Sequence, residues 1–277
     1  MKIKKLISAL VLGSMLVGLS GCNITDFSAE NLLRPPKAVG DEAEIEQLIA
    51  KTADSGYTLK YPKNGKFRSA IIMTDLDGND SNEAVAFFRN SAETSSVHML
   101  VMYSKDNSWE IVSDNIFETT DIDSVDFADL TGNGKAEIIV NSTTYTPNVG
   151  KLSCYSYSEG KTNEVGSGQS CSSFVTGDFD NDGTSEIMSL VLYTTENEAL
   201  ASMLDYNEDS KSLYAKAMAN MDPNVVKYKN IAVTKLDNDI TGIVVDGTSA
   251  NEVTNTQVIF YSRDLAILRN PLFKEKA

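Results

Sequence analysis

Residues 178–186 carry Asp178, Asp180, Asp182 and Glu186 around Gly183. Carboxylates at positions 1, 3, 5 and 9 with glycine at 6 are the spacing of a short turn that folds oxygens around a hard cation. Calcium takes about six to eight oxygens, several of them charged. Alternate residues of a tight turn aim inward, and the glycine adopts a backbone conformation that costs other residues more. The ninth residue closes the cage as the next strand begins. The alternative is an ordinary turn, because Asp, Asn and Gly dominate turns for conformational reasons alone.

Degraded copies of this stretch recur. Asp75, Asp77, Asn79 and Glu83 occupy the same positions in one, and Asp129, Thr131, Asn133 and Glu137 in another. In a fourth, Lys235 and Ile243 stand where ligands are needed, so no metal is expected there. The aligned first positions are 75, 129, 178 and 235, giving offsets of 54, 49 and 57. A period of roughly 50 fits four-stranded propeller blades, which run about 40–50 residues.

The elements around the loops agree. Apolar runs precede them at 70–73, 125–127, 174–175 and 231–233, and follow them at 84–88, 138–140, 187–192 and 243–245. Short β-rich runs on either side of a turn read as hairpins. Two more strand-like runs complete each unit, at 97–103 and 109–112, 151–157 and 163–165, 201–206 and 212–218, and 256–261 and 265–268. The expectation is an all-β, propeller-like array of about four four-stranded blades over 57–277, open or incomplete rather than a closed ring. A short helix is predicted over 41–53, with Ala43, Ile45, Leu48 and Ile49 on one face and acidic residues in the first turn. Residues 57–61 read as a strand that could pair with the last unit and close the array.

This pattern resembles the FG-GAP/VCBS repeat family of calcium-loop β-propellers, which includes the integrin α-subunit headpiece. The resemblance covers roughly residues 66–270 and rests on the loop after a β-run, whole only at 178–186. In that family position 7 adds a backbone carbonyl to the side chains of positions 1, 3, 5 and 9. The resemblance therefore implies Asp178, Asp180, Asp182, Thr184 and Glu186 as one calcium site. It implies Asp75, Asp77, Asn79, Ser81 and Glu83 as a second, and Asp129, Thr131, Asn133, Lys135 and Glu137 as a third. Asp80 replaces the glycine of position 6 in the first loop, and the second loop has only two carboxylates. Charge count tunes affinity, so the third loop should bind best, then the first, then the second. The calcium would be structural.

The front end bears on compartment. Lys2, Lys4 and Lys5 precede an apolar stretch at 6–18, too short for a comfortable membrane span. Leu19-Ser20-Gly21-Cys22 resembles the lipobox of bacterial lipoproteins, which implies cleavage after residue 21 and acylation of Cys22. Two acyl chains hold a protein stably at a membrane. Residues 22–56 then read as a tether with the short helix, and an extracytoplasmic, envelope-anchored chain is expected. Net charge is −15, or −18 without the three lysines. Such acidity argues against nucleic-acid partners. Cys154 and Cys171, a spare pair in an exported chain, suggest a disulfide; the alternative is two buried free thiols.

Paired carboxylates could serve glycoside chemistry, but acids are too abundant here for such pairs to be specific, and the visible pairs are already used by the loops; the catalytic motifs with a fixed local spacing are missing. There is one histidine, His98, in an otherwise apolar run, and no nucleophile elbow or phosphate-binding glycine loop accompanies it. Trp109 and the other aromatics read as packing rather than as a sugar platform. The expected function is therefore a non-enzymatic binding, adhesion or recognition module for a protein or glycan, with self-association through any exposed seam. Alternatives are a polysaccharide-active enzyme on a propeller face and a structural subunit of an envelope complex.

Overall fold

Within each sheet the strands pair antiparallel, nearly all of them with a neighbour in sequence, so the chain lays down one meander after another. The structure, a computed structural model, describes residues 40–53, 56–158 and 160–271. The predicted signal segment, Cys22 and most of the tether lie outside the described residues. Helix α1 (Asp41–Ala53) comes first. The first sheet holds β1 (Tyr57–Leu59), β2 (Ile71–Thr74), β3 (Glu83–Asn90), β4 (Val97–Lys105) and β5 (Ser108–Phe117). The second holds β6 (Ile122–Ala128), β7 (Glu137–Thr143), β8 (Gly150–Ser158) and β9 (Lys161–Cys171). The third holds β10 (Ser173–Gly177), β11 (Glu186–Tyr193), β12 (Glu198–Asn207) and β13 (Ser212–Asn220). The fourth holds β14 (Val225–Asp237), β15 (Ile240–Ser249), β16 (Thr254–Ser262) and, after a 3-10 turn, β17 (Ile267–Arg269). This is a propeller-like array of four blades, as the period implied.

The second strand of each of the first three blades explains the stacking, because it is apolar on both faces. In β3, Val85 and Phe87 face the second sheet, where they join Ile138 and Val140 of β7. Ile139 of β7 points the other way and meets Ile187 of β11. Met188 and Leu190 of β11 then meet Ile243 and Val245 of β15. Strands buried on both sides read as continuous hydrophobic runs rather than as alternation, which is how 84–88 and 187–192 look in the sequence.

The remaining face of the first sheet is taken by α1. Ile45, Ile49 and Ala53 pack on Ala84, Ala86, Phe88, Leu100, Met102 and Trp109. Trp109 is core, 6 % exposed, and its backbone N–H donates to Glu44 Oε1 at 2.9 Å. The fourth sheet presents its second face, with Ala232, Val244 and Val258 in one cross-strand row, and no core cluster among the described residues forms there.

Two expectations need correction. Strand β1 does not pair with the last unit. It pairs with β3, Tyr57 opposite Asn90, on the same edge that β2 occupies further along. The chain between β1 and β2 is long enough to step along that edge, so the two strands share one partner. The cysteines are not bridged: both are buried free thiols. Cys171 sits opposite Gly150, and Cys154 opposite Gly166. Four residues of β8 separate these rungs, about 13 Å at about 3.3 Å per residue, whereas a bridge needs Cα atoms within about 7 Å. Burial pushes the Cys171 thiol up to about 12 and raises that of Cys154 as well, so neither is a ready nucleophile.

His98 is also a packing residue. Its ring stacks on Phe88 with centroids 4.8 Å apart. Nδ1 lies 2.9 Å from Asp114 and Nε2 3.1 Å from Glu93. Burial disfavours its charge, but the two carboxylates outweigh burial and its pKa is raised.

The helix should be integral to the core. Ile49→Ala is expected to lower unfolding stability by about 2–4 kcal/mol, the usual range for a fully buried large-to-small change, measured by urea denaturation. A loss below about 0.5 kcal/mol would mean that α1 is not seated on the first sheet.

Candidate metal centre

The acidic loops join the first strand of a blade to the second, and all three are built alike. In each, the Asp of position 1 gathers backbone N–H groups of its own turn. Asp75 Oδ1 accepts from Gly78 at 2.8 Å and Oδ2 from Asp80 at 2.9 Å. Asp129 accepts from Asn133 and Gly134 at 3.1 and 2.8 Å. Asp178 accepts from Asp182 and Gly183, both at 3.1 Å. The side chain of position 5 then accepts the N–H of position 7: Asn79 from Ser81, Asn133 from Lys135, Asp182 from Thr184, at 2.7–2.8 Å. Position 6 has positive φ in all three, +65° at Asp80, +79° at Gly134 and +95° at Gly183. Aspartate tolerates that region better than most residues, which explains how the first loop manages without its glycine.

The glutamate of position 9 begins the second strand and is buried. Glu83, Glu137 and Glu186 are 3 %, 1 % and 0 % exposed. Each turns one oxygen back to the N–H of position 2, Leu76, Leu130 and Phe179 respectively, at 2.8, 2.8 and 2.7 Å. The other oxygen differs between loops. Glu137 Oε1 accepts from Thr131 Oγ1 at 3.3 Å. Glu186 Oε1 is buried with no partner, and in the first loop Asp77 Oδ1 is likewise buried and unpartnered.

Carboxylates converge in two loops. One oxygen each from Asp178, Asp180, Asp182 and Glu186 lies within 4.8 Å of the others, and the same holds for Asp75, Asp77 and Glu83. Either cluster could hold a metal ion. The second loop brings only Asp129 and Glu137 together. The fourth copy has no loop: β14 runs through Lys235 to Asp237, and a tight turn at Asn238-Asp239 leads straight into β15.

Electrostatics follow from this crowding. Burial, reinforced by Asp180, Asp182 and Asp205 against the Phe179 N–H, raises the Glu186 pKa to about 8. Burial and Asp129 raise Glu137 to about 7, and burial raises Glu83. Such groups gain from a cation placed between them.

Sequence reasoning missed one cation already there. Lys216, on β13, donates to Asp180 Oδ2 at 2.5 Å and to Asp205 Oδ2 at 2.7 Å. It also missed the ties between loops. Ala136 donates to the Leu76 carbonyl at 3.1 Å, Ser185 to the Asp129 carbonyl at 2.9 Å, and Asn181 Nδ2 to the Asp239 carbonyl at 2.7 Å. A chain of bonds thus runs from loop to loop across the array. No local pattern marks either feature; only the spatial neighbourhood of adjacent blades does.

No protein-family model matches the chain, and no curated protein matches it. A solved structure described as "Hypothetical protein from leishmania major" aligns over 81 % of this chain and 75 % of its own at 9 % identity, with a TM-score of 0.31. A likeness that distant carries no argument about function.

Lys216 occupies part of the charge that a metal would neutralise. Lys216→Met should therefore lower the melting temperature in chelator, where Asp180 and Asp205 lose their partner. It should also enlarge the gain in melting temperature on adding calcium. Scanning calorimetry in the two conditions reads both changes, and an unchanged calcium gain would separate Lys216 from the metal site.

Proposed function

We propose that this chain is a non-enzymatic binding module of the bacterial envelope, held at the membrane through acylated Cys22 and stiffened by calcium in its blade loops. The observation that carries the calcium reading is Glu186 Oε1. It is a buried carboxylate oxygen without a partner, facing three further carboxylates. All donors are hard oxygens, the set that calcium prefers, and carboxylate count ranks the third loop above the first and the first above the second. The spacing of these loops supports an FG-GAP/VCBS-like character for the repeats. Ser81, Lys135 and Thr184 would add backbone carbonyls.

The lipid anchor rests on the basic start, the short apolar run and the residues up to Cys22. Among the described residues no helix is long and apolar enough to cross a membrane. A recognition role is supported by the architecture: rigid blades present loops and edges, and partners bind to sites grafted on such scaffolds. His98, held between Glu93 and Asp114 and stacked on Phe88, is accounted for by packing. Net charge of −15 disfavours nucleic acid as the partner.

Two measurements test this. Calcium should raise the melting temperature of the full chain, and Asp180→Ala should remove most of that rise. Glycan and protein arrays probed with the full chain should show binding that is lost on chelation. Turnover of a polysaccharide, or melting that calcium does not shift, would contradict the proposal.

A further inference from the structure

The two ends of the array are finished differently. Each blade packs a sheet face on the next, and α1 covers the outer face of the first blade with Ile45, Ile49 and Ala53. The outer face of the fourth sheet has no such cover among the described residues. Side chains alternate across a strand. Ile243, Val245 and Ile259 enter the core, so Val244, Val258 and Phe260 stand on the opposite face. Register sets Ala232, Val244 and Val258 in one cross-strand row, and Thr234, Gly242 and Phe260 in the next. Leu236 lies over Gly242, where a Cβ would come within 2.8 Å of its Cδ1. Leu236 is 38 % exposed, and Val244, Val258 and Phe260 are half-buried.

The other half of this face is polar but satisfied within itself. Asp246 accepts from Thr256 Oγ1 at 2.7 Å and from Asn230 Nδ2 at 3.0 Å, and the hydroxyls of Thr248 and Thr254 share a hydrogen bond at 3.3 Å. Covering these groups would strand none of them. Lys227, Lys229 and Arg269 belong to the edge strands β14 and β17, which places their charges at the rim of a contact made here.

Charge decides what covers the face. Residues 41–224 carry 12 basic and 31 acidic side chains, whereas residues 225–269 carry five of each. So acidic a body repels a second copy of itself. Pairing through the fourth blades brings the neutral parts together and holds the two acidic bodies at opposite ends. The outer face of the first blade offers no counterpart, because α1 occupies it. The surface that matches this face is therefore the same face of a second copy, and a patch that meets itself does so about a two-fold axis.

We propose that two copies of this chain pair face to face through the outer surface of the fourth sheet. Stacked sheets pack about 10 Å apart, and Leu236, Val244, Val258 and Phe260 of each copy form the centre of the contact. Monomers seldom leave large apolar patches open to water. The paired face is about 20 Å long across four strands spaced about 4.8 Å apart. That is small for an obligate interface, so the pair dissociates on dilution. The inference goes beyond the binding-module reading and does not depend on metal, since the fourth blade has no acidic loop.

Sedimentation equilibrium of the full chain, in a neutral detergent that disperses its apolar N-terminal stretch, reads mass against concentration. A monomer–dimer equilibrium that stops at two copies is expected. Val258→Lys puts an unpaired charge at the centre of the contact and should weaken pairing about thirtyfold, the effect of losing one interface hot spot. Leu236→Lys, at an exposed position, should weaken it likewise while the melting temperature of the dilute chain stays unchanged. Tyr145→Lys, in the loop between β7 and β8, should leave pairing as it is. A monomeric mass at every concentration would overturn the proposal. So would a dimer that both Val258→Lys and Leu236→Lys leave intact, which places the contact elsewhere. A mass that keeps rising with concentration would overturn it too, because a head-to-tail contact grows without closing.

Discussion

The constraint on which the array depends is the buried glutamate that closes each blade loop. Glu83, Glu137 and Glu186 each bind the N–H of the second loop residue. Each thereby ties the end of a first strand to the start of a second. Burying a carboxylate is costly unless it is bonded and its charge matched. One oxygen is bonded in every case, and the charged neighbours that act on Glu137 and Glu186 are carboxylates. The raised pKa values of Glu137 and Glu186, about 7 and about 8, express that mismatch. A proton relieves it partly. A divalent ion among the loop oxygens would relieve it fully and keep the same backbone.

Backbone bonds from Ala136 to Leu76 and from Ser185 to Asp129 fasten each loop to the next. Lys216, from the last strand of the third blade, places a positive charge against Asp180 and Asp205. Asp126 on β6 also accepts from Thr176 of β10 at 2.9 Å, which joins the second and third blades directly. The loops thus tie neighbouring blades together.

Much of this was legible in the sequence. Loop position, the offsets near 50 residues and the helix at 41–53 are local properties. They are written in acidic spacing, apolar runs and helical periodicity within a few residues of each other. The order of the loops by carboxylate number was equally local, and among the described residues the structure gathers three or more carboxylates only in the third and first. What was not legible is nonlocal. Strand β1 has apolar character but nothing in it names β3 as its partner. Cys154 and Cys171 have a spacing compatible with a bridge, yet strand register sets them four rungs apart. Lys216 is one lysine among many until β13 is laid beside the third loop.

The most direct test of the central claim is calorimetric titration of the chelator-stripped full chain with calcium. The account predicts saturable binding, tightest at a site that Asp180→Ala removes, with a weaker one that depends on Asp77. Absence of saturable binding up to the millimolar range, where extracellular calcium modules are filled at about 10⁻⁴–10⁻³ M, would contradict it.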